Sequence, residues 1–190
     1  MNSLILSIVS GINFPEIYLR RETSKFPSCN FPEIMIYFSH DRERGNNLMK
    51  NIYFDMDGTI ADLYGVPNWL EDLLHEDVRP YAVARPLVNL QALARILNRL
   101  IRDGWTVNVI SWTSRNGSAA YNKAVATVKK EWLETHLHSV KFTSIQILPY
   151  GTPKELFGNG ILFDDEAHNR EAWGAGAYTE KEIFSVLKGL

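Results

Sequence analysis

Two carboxylates, Asp55 and Asp57, stand two residues apart directly behind the apolar run Asn51-Ile52-Tyr53-Phe54. Bulky, partly aromatic residues in a run this short predict a buried strand, and Gly58 marks a tight turn straight after it. At a strand end the two-residue spacing points both acids to the same side. Like charges that close repel, so the pair asks for a cation. A hard cation such as Mg²⁺ takes oxygen ligands and keeps some water, which suits one or two carboxylates beside a substrate phosphate. The same pattern returns at Gly160-Ile161-Leu162-Phe163-Asp164-Asp165, again an apolar strand ending in acids. Each motif also has a reading without chemistry. Asp57-Gly58 is a common hairpin turn, and one Asp of the second pair suits a helix N-cap.

These acids need a scaffold, and the chain between them alternates strand and helix. Leu87, Leu90, Leu93, Ala94, Leu97, Leu100 and Ile101 recur at helical spacing, with Pro86 at the first helical position and Gly104 as the stop. Trp105–Ile110 follows as a strand running into Ser111-Trp112-Thr113. Residues 119–137 repeat the helical period through Tyr121, Val125 and Trp132, with Lys123, Lys129, Lys130, Glu131 and Glu134 read as exposed charges. His136 and His138 near its end are read as solvated helix-end groups, not metal ligands. Ser144–Leu148 is a third strand. Gly174–Tyr178 holds a fifth, and Thr179-x-x-Glu182 is a capping box before a last helix. Repeated β-α-β units imply right-handed crossovers and a parallel sheet. The predicted fold is therefore α/β, a three-layer Rossmann-like parallel sheet of about five strands flanked by helices.

Composition bounds the rest. The chain has 190 residues, 45% hydrophobic and 22% charged, enough for one core and a small appendage. A net charge of −2 gives no reason to expect nucleic acid or an anionic membrane as partner. No apolar run reaches membrane-span length. The lone Cys29 excludes an intramolecular disulfide framework, and the start lacks the basic region and cleavage site of a signal peptide. A reducing, cytoplasmic setting fits. Residues 1–49, with Phe14-Pro15, Phe26-Pro27 and Phe31-Pro32, hold no sustained period and read as a weakly ordered extension. Met49, just before the first strand, reads as the start of the functional chain. Residues 50–190 form the domain. Within it, residues 62–86 form a small insertion, with Asn68 as the cap of a helix through Leu74. Its Tyr64, Trp69 and Tyr81 either stack a flat group such as a base or pack the insertion onto the core.

The stretch Asp55-Met56-Asp57-Gly58-Thr59 resembles motif I of the haloacid dehalogenase-like (HAD) phosphohydrolases. The order of the later motifs is similar too, so the resemblance covers residues 50–190. It implies that Asp55 is a nucleophile that becomes an aspartyl-phosphate and that Asp57 is the general acid/base. Ser111 matches the hydroxyl of motif II, with Thr113 as the alternative should the strand run farther. A small hydroxyl there, with the Trp112 N–H behind it, can donate to a phosphate oxygen. Lys154, near a helix start, matches motif III. Asp164 and Asp165 match motif IV, and Asn169 helps to hold their loop. The metal set implied is Asp55, Asp57, Asp164 and Asp165 around Mg²⁺, with Asp164 assigned as a direct ligand and Asp165 as a ligand through water or an orienter, an order that the sequence does not fix. Substrate phosphate would meet Ser111, Trp112 and Lys154. The resemblance implies a Mg²⁺-dependent phosphomonoester hydrolase acting on a small phosphorylated substrate. The short insertion, read as a cap, looks most like the 5'(3')-deoxyribonucleotidase-like branch and its nucleoside monophosphates. The other reading is a catalytically silent phosphate- or nucleotide-binding protein on the same fold.

Overall fold

The computed structural model describes residues 50–190; the expectations for residues 1–49, including Met49 as the start and Cys29 as a lone thiol, lie outside the described residues. Five strands form a parallel sheet in the order β5-β4-β1-β6-β7. They are β1 (Asn51–Phe54), β4 (Thr106–Trp112), β5 (Ser144–Leu148), β6 (Ile161–Phe163) and β7 (Ala177–Tyr178). The apolar runs read as strands are the central ones, because a parallel strand is covered on both faces. Ile52 and Phe54 of β1 face the helices α3 (Leu90–Arg102), α4 (Ala119–His136) and α6 (Ile183–Gly189), packing with Leu93, Leu97, Trp132 and Leu187. Tyr53 faces the other way and meets Trp173 of α5 (Ala167–Trp173) edge-on at 5.3 Å. The result is the expected three layers, with β1 in the middle. Among the described residues no helix is long and apolar enough to cross a membrane.

A second, two-stranded antiparallel pair closes the neck of the insertion. In it β2 (Ala61–Asp62) meets β3 (Arg85–Pro86), with Ala61 opposite Pro86. Between them lie α1 (Trp69–Leu74) and α2 (Arg79–Val83). Asp62 and Pro86, the expected bounds, fall on these two strands. Two local expectations fail here. Pro86 does not start α3; it sits on the edge of the short pair, where a missing N–H costs little. The helix begins at Leu90, and Asn89 caps it by accepting from the Ala92 N–H at 3.0 Å. Asn68 flanks α1 in the left-handed region (φ 61°), and its side chain makes no capping bond.

The insertion is not uniform. Its second half lies along α4: Glu76 accepts from the Ser118 N–H and hydroxyl, the Tyr121 hydroxyl donates to the Asp77 carbonyl, and the Trp132 indole donates to the Ala84 carbonyl. By contrast, α1 buries none of its residues. The capping box at Thr179 and Glu182 forms as read.

Candidate active site

Asp55 and Asp57 follow the end of β1 and Asp164 and Asp165 the end of β6, whereas Ser111 and Trp112 are the last residues of β4 and Lys154 follows the edge strand β5. Register sets the level: Phe54 of β1 pairs with Val109 of β4 and Phe163 of β6. Asp55 and Asp164 are therefore the first residues past neighbouring strand ends, at the edge where open parallel sheets bind ligands. One carboxylate oxygen from each of Asp55, Asp164 and Asp165 lies within 4.8 Å of the other two. Lys154 is buried at 2% exposure and bridges the cluster, 3.0 Å from Asp55 Oδ1 and 2.6 Å from Asp164 Oδ2. Asp164 is fully buried and also accepts from Asn169 Nδ2 and the Glu166 N–H, so Asn169 does hold this loop. Asp165 Oδ1 accepts from the Thr59 hydroxyl at 3.1 Å.

Gly58 is required by this packing. Its φ is +77°, and a Cβ there would come within 2.3 Å of Asp165 Oδ2. The two acidic motifs, more than a hundred residues apart, touch at that glycine.

The charges are not balanced within the cluster. Asp165 is pushed up to about 7 by burial, with Asp55 and Asp164 adding repulsion. Burial and then Asp55 raise Asp164 as well, against the pull of Lys154. Burial works against the Lys154 ammonium, but Asp55 and Asp164 outweigh it and hold its pKa above the ordinary value. Three converging oxygen donors, two of them with carboxyls raised by burial and then by mutual repulsion, match what a hard divalent cation relieves. Asp57 stands outside this group of three. Its carboxylate is bound instead by Lys129, Nζ to Oδ2 at 2.6 Å.

Lys129 is the residue that sequence reasoning missed. It was read as an exposed helix charge, yet it is 1% exposed. Its ammonium is held by Asp57, by Ser111 Oγ at 3.1 Å and by the Trp112 carbonyl at 2.6 Å, with the Tyr81 ring 5.1 Å away. The signal was its spacing. Lys129 falls four residues after Val125 and three before Trp132, on the buried stripe of α4. Burial raises the Asp57 carboxyl, Lys129 pulls it back, and Asp55 pushes it up again.

The two candidate hydroxyls part company. β4 runs to Trp112, two residues beyond expectation, and Thr113 N–H still bonds the Leu148 carbonyl. Ser111 is inside the strand, buried and occupied by Lys129. Thr113 Oγ1 is buried without a partner, on a residue that lines the cavity. Of the backbone donors at the motif I turn, Gly58 N–H is already spent on the Ala61 carbonyl.

Above these groups opens a cavity of about 380 Å³. It is lined by Asp55, Asp57, Ser111, Thr113 and Lys154 together with Tyr64, Trp69, Leu73 and Tyr81 of the insertion and with Trp112, Arg115 and Tyr150. Tyr81 serves packing as well, buried with Leu63, Tyr121 and Val125. Tyr64 and Trp69 meet edge to face at 5.1 Å. His136 stacks on Trp132 at the far end of α4 and takes no part. No protein-family model matches the chain, and no curated protein is significantly similar to it.

Proposed function

We propose that this chain is a Mg²⁺-dependent phosphomonoester hydrolase of the HAD type, acting on a small phosphorylated substrate such as a nucleoside or deoxynucleoside monophosphate. The observation that carries the reading is the convergence of Asp55, Asp164 and Asp165 within 4.8 Å, bridged by buried Lys154, with Asp57 held beside them by a second buried lysine.

The roles follow from charge. Asp55 attacks phosphorus in line, the ester P–O bond breaks, and an aspartyl-phosphate forms. Asp57, whose carboxyl burial pushes above its ordinary range against the pull of Lys129, gives a proton to the leaving oxygen. It then takes a proton from water as that water attacks the same phosphorus, releasing phosphate and restoring Asp55. Lys154 offsets the repulsion between a phosphate dianion and the carboxylates. The unpaired hydroxyl of Thr113 donates to a phosphoryl oxygen, and Ser111, whose oxygen accepts from Lys129, keeps its own O–H to donate beside it. Asp55, Asp164 and Asp165 would hold the Mg²⁺, which supplies Lewis-acid neutralisation of phosphoryl charge when bound. The aromatic and leucine-lined cavity suits a flat leaving group of nucleoside size.

The test is a panel of phosphomonoesters, including p-nitrophenyl phosphate and the nucleoside monophosphates, assayed with Mg²⁺ and with chelator. Turnover that needs Mg²⁺ and favours nucleotides is expected. Turnover of none of them would leave the silent phosphate-binding reading in its place.

A further inference from the structure

Trp112 touches both lysines of the site, by different atoms. Its backbone carbonyl accepts from Lys129 Nζ at 2.6 Å. Its indole ring lies 4.7 Å from Lys154 Nζ, within cation–π range. The ring is itself fixed. Nε1 donates to the Thr152 carbonyl at 2.9 Å, in the loop that carries Lys154. The ring also packs against Tyr150 at 5.1 Å and stacks with His168 at 5.8 Å, four and three residues from Lys154 and Asp165. One residue at the end of β4 thus joins the loop before Lys154 to the helix after the acidic pair.

We propose that Trp112 is a positioning residue that sets both ammonium groups, its carbonyl placing Lys129 against Asp57 and its ring placing Lys154 between Asp55 and Asp164. This rests on the phosphohydrolase reading for its kinetic consequence, but its geometry stands apart from it. A lysine stem is flexible, and a lysine side chain 2% exposed keeps its ammonium in one position only while its surroundings fill the space around it. Trp112→Leu leaves the backbone carbonyl in place and removes the ring and its N–H. The consequence should therefore fall on Lys154, with Lys129 retained.

The experiment has two arms on the full chain. In the first, wild type and Trp112→Leu are treated briefly with an amine-acetylating reagent and mapped by mass spectrometry. Lys154 acetylation is expected to rise about 10-fold or more as the ring that shields it is lost. Lys129 should stay protected, and exposed Lys123 on the same helix should be unchanged. Equal Lys154 reactivity in the two proteins overturns the proposal. In the second arm, turnover of p-nitrophenyl phosphate is measured in a cycle with Lys154→Met. Trp112→Leu alone should lower kcat by about 10- to 100-fold, the usual consequence of a small misplacement. In the Lys154→Met background it should change kcat by less than about 2-fold, since the group it acts through is gone. Additive losses overturn the proposal. Should Trp112→Leu lack a cooperative unfolding transition, Trp112→Phe takes its place in both arms, expected to show smaller effects in the same pattern. A wild type without phosphatase activity defeats the functional reading, and the labelling arm still decides the role of Trp112.

Discussion

Replacing Lys129 by Met tests the least expected part of the site. The change removes the cation bound to Asp57 and leaves a carboxylate whose side chain is 19% exposed. Breaking a fully buried pair from one side costs about 3–5 kcal/mol. Partial access of water to Asp57 lowers that to about 2–3 kcal/mol. For a domain of this size the loss appears as a fall in Tm of about 4–12 °C. The rate should suffer through Asp57. Lys129 pulls the Asp57 pKa down more than Lys154 does, so its loss raises that pKa further. Asp57 must be deprotonated to take a proton from water, so the rising limb of the pH–rate profile moves to higher pH. p-Nitrophenyl phosphate isolates this step, because p-nitrophenolate leaves without a proton. A fall in kcat of about 10²-fold near neutral pH is expected, the low end of what acid–base catalysis supplies. Thermal unfolding and the pH–rate profile are measured on Lys129→Met and on the double variant Asp57→Asn/Lys129→Met. The double variant should regain stability, since no unpaired charge remains in the pocket. A single variant within about 0.5 kcal/mol of wild type, or a double variant no more stable than the single, would refute the buried-pair reasoning.

Three other outcomes follow from the same geometry. Thr113→Val removes an orphaned buried hydroxyl, so Tm should hold or rise slightly while KM for phosphomonoesters rises; an unchanged KM would remove Thr113 from the phosphate site. Gly58→Ala forces a left-handed residue and a clash with Asp165, and should lower stability by about 1–3 kcal/mol and abolish Mg²⁺ stabilisation, read by thermal unfolding with and without Mg²⁺. Without metal, Asp165 has a folded pKa near 7, above its unfolded value of 3.8, so the folded state binds the extra proton between those values and stability falls as pH rises through them. Mg²⁺ requires the ionised cluster, so its gain in Tm should be larger at pH 8 than at pH 5.5, and calorimetry should show protons released on binding near pH 6; a pH-independent gain would contradict this.

The strands carrying Asp55 and Asp164 were legible because a doubly covered parallel strand must be apolar throughout, and an acid at its end stands out. The helical stripe of α3 was equally plain, but its start was misplaced. Pro86 satisfies both a first helical turn and a sheet edge, and only pairing with Ala61 decides between them. The end of β4 was read short because Ser111 and Trp112 resemble a turn in sequence, whereas the bond from Thr113 to Leu148 extends the ladder. Lys129 was hidden by residue type. A lysine on an apolar stripe conflicts with its usual place, and only the nearness of Asp57, 72 residues away, resolves the conflict. The cavity lining was legible only in part. Tyr64, Trp69 and Tyr81 share one insertion, but Trp112 at the end of β4 and Tyr150 in the loop after β5 meet through tertiary packing.

Trapping the intermediate tests the chemistry at its centre. Asp57→Asn is incubated with p-nitrophenyl phosphate and Mg²⁺, quenched with borohydride, which reduces an aspartyl-phosphate to homoserine, and mapped by mass spectrometry. Homoserine at position 55, dependent on substrate and Mg²⁺, is expected, because the good leaving group still departs while water is no longer activated. Turnover by the wild type with no modification at Asp55 in the variant, or turnover that survives Asp55→Asn, would contradict the covalent mechanism.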